Sequence, residues 1–429
     1  MKVKFQEVFF LPELKVHNIK FILNQQHKHI MSTKAIFINI SVTLALLTFN
    51  IAHAADTTSH VKKEWFKSFS IRGYVQARYN RLLETNSKLK CEQCDRSWGE
   101  NGGFFLRRAR IIFSGDVHSR AYMYIQMDLA NTISGTNNTH FLQIRDAYFD
   151  ISADKKKEFR FRIGQSKVPY GFENLQSSQN RLTLDRVDAL NSAVANERDL
   201  GVLFMWAPSK TRELFARLVN DGLKGSGDYG VVALGADNGQ TANKLELNDY
   251  PHAVARISYP YEFKNKQIIE AGIQGYQGHI VIEKNAKNKG ELEYFERRAA
   301  ASFIWYPQPF GIQTEYNIGE GPRFDNTDSI TKNQKLEGFY IQAMYMAKIK
   351  SHTLIPFVKY QYYSGGKKHE IDARSYLVRD VEIGVEWQPF KNFEFTAMYT
   401  ISNRTFEDYA KPINAQKGNL LRLQAQLNF

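Results

Sequence analysis

Arginines recur two residues apart along this chain, Arg108 with Arg110 and Arg160 with Arg162. In a strand, side chains at i and i+2 share a face. Two guanidinium groups on one face form a fixed positive ladder, because arginine stays charged at any physiological pH. Such a ladder attracts and orders anions. Other chemistry is scarce. Cys91 and Cys94 form a single C-x-x-C, too few ligands for a structural zinc site. His118, His140, His252, His279, His352 and His369 lie scattered, without assignable partners. There is no H-E-x-x-H, G-x-S-x-G or P-loop, so no catalytic constellation, metal site or cofactor is expected. The arginines alternate along strands and do not cluster with aromatic platforms, which argues against nucleic-acid binding.

What positions these arginines is a period-two pattern. Phe69, Ile71, Gly73, Val75, Ala77 and Tyr79 fall on one face, and Ser70, Arg72, Tyr74, Gln76, Arg78 and Asn80 on the other. Residues 120–129 and 421–429 alternate in the same way. Strands are expected near 68–80, 104–115, 120–130, 141–151, 158–166, 199–207, 211–220, 250–259, 266–278, 292–306, 310–319, 336–348, 353–363, 378–388, 392–402 and 419–429. Pro356 inside one of them argues for a bulge or a weakened pair. Short connections, such as Asp116–Ser119, Pro208–Lys210 and Pro389–Lys391, alternate strictly with long ones, such as 81–103, 167–198, 221–249, 320–335, 364–377 and 403–418. Trp206, Tyr259, Trp305, Tyr306, Trp387, Phe390 and Phe429 fall beside short turns or at the terminus, as an interfacial girdle would.

The chain has 429 residues and a formal net charge of +13. Mean hydropathy is −0.44, and past the N-terminal region no apolar run reaches the roughly 20 residues of a membrane helix. A closed barrel still spans a membrane, since each strand is apolar on one side only. Residues 31–54 combine Lys34, an apolar core over Ala35–Phe49 and a small-x-small site at Ala52-His53-Ala54. These are the parts of a secretory signal peptide. Met31 is the expected start of translation and Ala55 the expected mature N-terminus. Residues 1–54 are thus read as extension and signal, 55–67 as a short periplasmic segment, and 68–429 as an all-β, 16-stranded antiparallel transmembrane barrel of the bacterial outer membrane. After export Cys91 and Cys94 sit in the first outer loop, where a small disulfide is expected.

With the apolar face toward lipid, the polar face lines the lumen. By parity it carries Arg72, Arg78, Arg108, Arg110, Arg120, Arg145, Arg160, Arg162, Arg217 and Arg256, with Arg298, Lys359 and Arg422, against acids such as Asp128, Glu270, Glu315, Glu382, Glu386 and Glu394. The connection 167–198 holds Val168, Tyr170, Phe172, Leu175, Leu182, Leu184, Val187, Leu190 and Val194, which need burial. Folded inside the barrel, it would be a constriction loop presenting Lys167, Arg181, Arg186 and Arg198 with Glu173, Asp185, Asp188, Glu197 and Asp199. Rings of basic side chains lower the barrier for anions and raise it for cations.

The stretches FFLRRARIIFSGD (104–116), IRDAYFD (144–150), FRIGQSKVPYGFENLQSS (161–178), NERDLGV (196–202) and PFVKYQYY (356–363) resemble the phosphate-selective porin O and P family. The resemblance runs from about Phe69 to Phe429. It implies a trimeric 16-stranded porin with a constriction loop after strand five, an arginine-lined path and lysines near the narrowest point. Arg108 and Arg110 match the basic wall, and Lys167 begins the constriction loop. A single lysine in 167–198 departs from the strict phosphate-binding members. Expected partners are small anionic solutes, phosphate foremost, with outer-membrane lipid and lipopolysaccharide around a homotrimer. The alternatives are a general nutrient porin of weak charge preference and a structural or adhesive surface barrel.

Overall fold

The structure, a computed structural model, describes residues 65–87, 89, 103–132, 139–411 and 414–429. The signal segment, Cys91 and Cys94 lie outside the described residues. The strands are β1 (Ser70–Leu82), β2 (Phe104–His118), β3 (Ala121–Thr132), β4 (Thr139–Ser152), β5 (Phe159–Lys167), β6 (Arg198–Trp206), β7 (Val232–Asp237) and β8 (His252–Glu262). They continue with β9 (Ile268–Val281), β10 (Glu293–Trp305), β11 (Phe310–Asp325), β12 (Ile330–Tyr345), β13 (Ala347–Ile349), β14 (His352–Gly366), β15 (Ser375–Phe390), β16 (Phe393–Glu407) and β17 (Ala415–Asn428). β13 continues β12 beyond Met346, and both pair with β14. The seventeen segments therefore make sixteen spans, each antiparallel to its sequence neighbours, and β1 pairs with β17 to close the barrel.

Burial is inverted relative to a water-soluble protein. Ile71, Leu106, Val202, Leu234, Ile257, Ile341, Ile383 and Ile401 are exposed on the outer face, while Arg78, Arg256, Arg404 and Arg422 are among the most buried side chains. An apolar exterior with a polar interior is the pattern that lipid selects. Tyr259, Trp305, Trp387, Phe390 and Phe429 are exposed at the short-turn end, the place of an aromatic girdle. Tyr306 departs from that girdle. It is buried, its hydroxyl donating to Glu270 Oε2 at 2.6 Å, because a residue adjacent to the outward Trp305 points inward.

The largest difference from the sequence expectation is at 211–220. The segment is a helix, α3 (Ser209–Asn220), and strand seven lies at β7 instead. Thr211, Phe215 and Leu218 are its buried residues. That is the i, i+4, i+7 spacing of a helix face, whereas period two would have put Arg212 and Asn220 in lipid. The connection after β6 is therefore a 25-residue insert at the short-turn end. Other boundaries extend outward. Glu320–Asp325 pairs with Ile330–Lys335 without a break, so the loop expected at 320–335 shrinks to 326–329. There polar residues fall on both faces, and the hydrophobic alternation that marks a strand is absent. Pro356 does not bulge toward β15, where its register runs through. On the other side, the break between β12 and β13 at Met346 falls beside Pro356, which has no N–H to donate.

The connection between β5 and β6 folds inside the barrel. It contains two single-turn helices, α1 (Phe172–Leu175) and α2 (Asp188–Asn191). Val168, Tyr170, Val187, Leu190 and Val194 pack on Val254, Tyr276, Tyr340, Tyr363, Val378 and Phe406 of the wall. Phe172, Leu182 and Leu184 join Phe215, Leu218, Ile304, Met344 and Met398 in a second cluster. One side of the lumen is thus filled by an apolar core.

Candidate functional site

A chain crossing a barrel interior must satisfy its backbone groups there. Glu315 of β11 accepts from the Phe172 and Glu173 amides at 2.6 and 2.8 Å, and Gln361 of β14 from the Asp188 amide at 3.0 Å. Ion pairs add ties around the wall. Glu173 meets Lys359 at 2.8 Å. Asp185 pairs with Arg422 and, at 3.7 Å, with Arg78. Asp188 meets Lys367 at 2.5 Å and Arg404 at 3.1 Å. Ser192 Oγ accepts from Arg298 at 2.7 Å. The inserted segment is anchored to β1, β10, β11, β14, β16 and β17, and the space left open runs along β1–β5.

Two cavities occupy that lane. The outer one, about 370 Å³, is lined by seven basic and four acidic side chains, among them Arg107, Arg108, Arg110, Arg145, Arg181 and Arg186 with Asp128 and Glu197. The inner one, about 650 Å³, likewise has seven basic and four acidic, including Arg72, Arg160, Arg162, Arg198 and Arg212 with Asp146, Asp150 and Asp228. Both carry a positive excess.

Two irregularities concentrate charge here. Gln76 pairs with Arg108 and Ala77 with Leu106, so Arg107 is an extra residue in β2. Gln126 pairs with Asp146 and Met127 with Ile144, so Arg145 is extra in β4. A β-bulge re-aims side chains. At these two it turns consecutive charged residues, Arg107–Arg108 and Arg145–Asp146, toward the lane. Strict alternation missed Arg107 and Asp146 for that reason.

Most lane arginines are compensated. Arg110 Nε donates to Asp128 Oδ2 at 2.8 Å and its Nη1 to the Tyr74 hydroxyl at 2.8 Å. Arg162 holds Asp150 through two hydrogen bonds of 2.8 and 2.9 Å and lies 3.9 Å over the Tyr148 ring. Arg198 bridges Asp146 at 2.9 Å and Glu197 at 2.7 Å. Arg186 meets Glu197 at 2.6 Å, and Arg160 meets Asp228 at 2.8 Å. Arg145 reaches the Asn196 carbonyl at 3.3 Å and Glu197 at 3.9 Å. Arg72 is exposed to the inner cavity, 5.7 Å over Tyr124.

Arg108 and Arg181 differ. Arg108 donates to Gln76 Oε1 at 2.8 Å and Arg181 to the Leu184 carbonyl at 3.5 Å. Arg108 Nε, Arg145 Nε, and Arg181 Nε and Nη1 are buried donors without a hydrogen-bond partner. All three arginines line the outer cavity.

Most of the remaining expected residues are held by other partners, Lys167 while also lining the inner cavity. Lys167 donates to the carbonyls of Leu175 and Gln176 at 2.8 and 2.7 Å, tying down the end of α1. Asp199 accepts from the Thr241 amide at 3.0 Å and so holds an outer loop. Arg78 is held by Gln424 Oε1 and the Leu184 carbonyl at 2.7 and 2.8 Å. Arg120 is in the turn between β2 and β3. Arg256 pairs with Glu270 at 3.1 Å, away from both cavities. Arg217, expected on the lumen wall, is on α3 with its side chain half exposed, paired with Glu262 at 2.9 Å. Asp228 also lines the inner cavity; it falls in 221–249, which alternation places in an outer loop, so the sequence gives no sign of it.

The family profile described as phosphate-selective porin O and P matches residues 89–429. Among solved structures, the chain is similar in fold to the outer membrane channel DcaP of Acinetobacter baumannii, at 13% identity and a TM-score of 0.50, covering 84% of this chain and 97% of that one. It is also similar to OmpT of Vibrio cholerae in its trimer form, at 11% identity and 0.50, covering 84% and 99%. An anion-selective porin from Comamonas acidovorans matches at 10% identity and 0.50, with the same coverage. No curated protein matches.

Proposed function

The chain belongs to the phosphate-selective porin O and P family, and from that membership we propose that this outer-membrane porin passes small anions, phosphate foremost, along the β1–β5 lane. The inserted segment is the constriction. It fills the opposite side of the lumen and confines solutes to a passage with a basic wall. The observation that carries this reading is the basic lining of the outer cavity, seven basic against four acidic side chains, in which Arg108 and Arg181 have neutral hydrogen-bond partners. Guanidinium groups held by neutral partners leave their positive charge to act on an anion in the cavity. Charge-assisted bonds from guanidinium to phosphate or carboxylate are also among the strongest hydrogen bonds in proteins.

The working form is a homotrimer, exported by cleavage after Ala54 and surrounded by outer-membrane lipid and lipopolysaccharide. The OmpT structure in its trimer form supports the assembly, and the Comamonas acidovorans porin supports anion preference. Reconstitution into a planar bilayer under a potassium chloride gradient tests the reading. The reversal potential should lie toward the anion, and added phosphate should reduce chloride current. A cation-directed potential sinks it. A near-zero potential without phosphate block would favour the general nutrient porin. The compensated pairs Arg110–Asp128, Arg162–Asp150 and Arg198–Asp146 give that second reading its support.

A further inference from the structure

The insert between β6 and β7, residues 207–231, enters the barrel from the short-turn end and meets the constriction segment there. Gln176 Nε2 donates to the Lys224 carbonyl at 2.5 Å, and the Lys224 ammonium pairs with Glu386 at 2.5 Å. Phe215 and Leu218 of α3 share the apolar cluster that holds Phe172 and Leu184. The filled side of the lumen is thereby closed from below. Past Lys224 the chain turns at Gly227 and Gly230, with φ of +98° and +80°, and Asp228 comes to line the inner cavity.

Asp228 faces two arginines from different elements. Arg160 of β5 reaches its Oδ1 at 2.8 Å and Arg212 of α3 its Oδ2 at 2.8 Å. The Gly230 amide donates to Oδ1 at 3.0 Å. Burial works against the charge on Asp228, but Arg160 and Arg212 hold its carboxyl below the usual carboxylate range. One carboxylate therefore offsets two guanidinium groups where the lane opens.

We propose that the insert 207–231 forms the inner mouth of the lane and that Asp228 is its specificity-determining residue, limiting how strongly this mouth favours anions. The proposal rests on the porin reading above and adds a second station for charge selection, at the opposite end of the lane from Arg108 and Arg181. In a narrow passage a single charge acts with little screening at low salt.

The test is the reversal potential of the full-length reconstituted protein in about 0.1 M and about 1 M potassium chloride, where the screening lengths are about 10 and 3 Å. Asp228→Asn should raise the anion-to-cation permeability ratio two- to fivefold at the lower salt, with the change shrinking at the higher. Arg212→Gln should lower it, which keeps the test open if Asp228→Asn assembles poorly. Glu213→Gln removes the same charge from an exposed position on α3 that lines neither cavity and should leave the ratio unchanged. An unchanged ratio in Asp228→Asn, or equal shifts in Asp228→Asn and Glu213→Gln, overturns the proposal. The wild-type ratio separately reports whether the porin favours anions at all, so the two failures are distinguishable.

Discussion

At the scale of single residues, the lane charges divide by what compensates them. Arg162 and Asp150 are a buried two-bond pair with 7% side-chain exposure each, and Tyr148 lies beneath the guanidinium. Removing one member of such a pair strands the other, at about 3–5 kcal/mol. Arg162→Ala should therefore destabilise the folded barrel by about that much in urea, while Arg162→Ala with Asp150→Asn should recover part of the loss. Equal loss in the single and double variants would show that the pair contributes only packing. Arg108 has a neutral partner, Gln76, so its charge acts on solutes. Arg108→Glu should move the reversal potential toward cations with the barrel intact. Lys167→Gln should do the reverse, lowering the yield of heat-resistant barrel with little change in selectivity, because its ammonium caps the Leu175 and Gln176 carbonyls. A selectivity change from Lys167→Gln alone, with normal assembly, would show that the ammonium acts on the solute. The sequence distinguished none of these roles, since parity states a direction and leaves the partner open.

At the scale of elements, each strand is legible where one face meets lipid and the other the lumen, and illegible where that contrast ends. β10 alternates buried and exposed residues along almost its full length, and its sequence range was found to within a residue or two. The outer ends of β11 and β12 carry polar residues on both faces, so their sequence has the pattern of a loop. The α3 segment has apolar residues at helical spacing over a short stretch, and a period-two reading could absorb it. The inserted segment announced itself by nine apolar residues in a connection that ought to be polar. Deleting part of Ser177–Ala195 removes Leu182, Leu184, Val187 and Leu190 from the interior clusters together with Arg181 and Asp185. Single-channel conductance should rise and the anion-to-cation ratio should approach one. Unchanged conductance in an assembled variant would show that this segment does not limit the path.

At the scale of the whole molecule, sixteen spans are stable only as a closed ring, because an open edge in lipid leaves backbone groups unsatisfied. The closing pair of β1 with β17 extends as far as Phe429. Gly73 donates to the Phe429 carbonyl at 2.9 Å, and Phe429 donates back to Gly73 at 3.0 Å. A Cβ at Gly73 would stand 2.6 Å from Phe429 Cζ and run into the Arg110 carbonyl. Gly73→Val should thus reduce heat-resistant barrel on unboiled gels, and Gly73→Ala should do so less. Normal assembly of Gly73→Val would show that the closing pair tolerates displacement. The same ring turns many of the arginines inward, where Arg78, Arg404 and Arg422 meet Asp185 and Asp188 of the inserted segment.

The sequence by itself determined the class, the number of spans, the place of all but the seventh, and the inward direction of most arginines. Those features follow from local rules, namely period two, apolar residues toward lipid and turn residues between strands. Tertiary structure alone decided which arginines are free to meet a solute. Asp185 of the inserted segment reaches Arg422 of the last strand, and Asp228 of the insert reaches Arg160 of β5; these separations no periodicity encodes. It also decided where two bulges add Arg107 and Asp146 to the lane, because a bulge is defined by the register of the neighbouring strand and leaves no mark on its own.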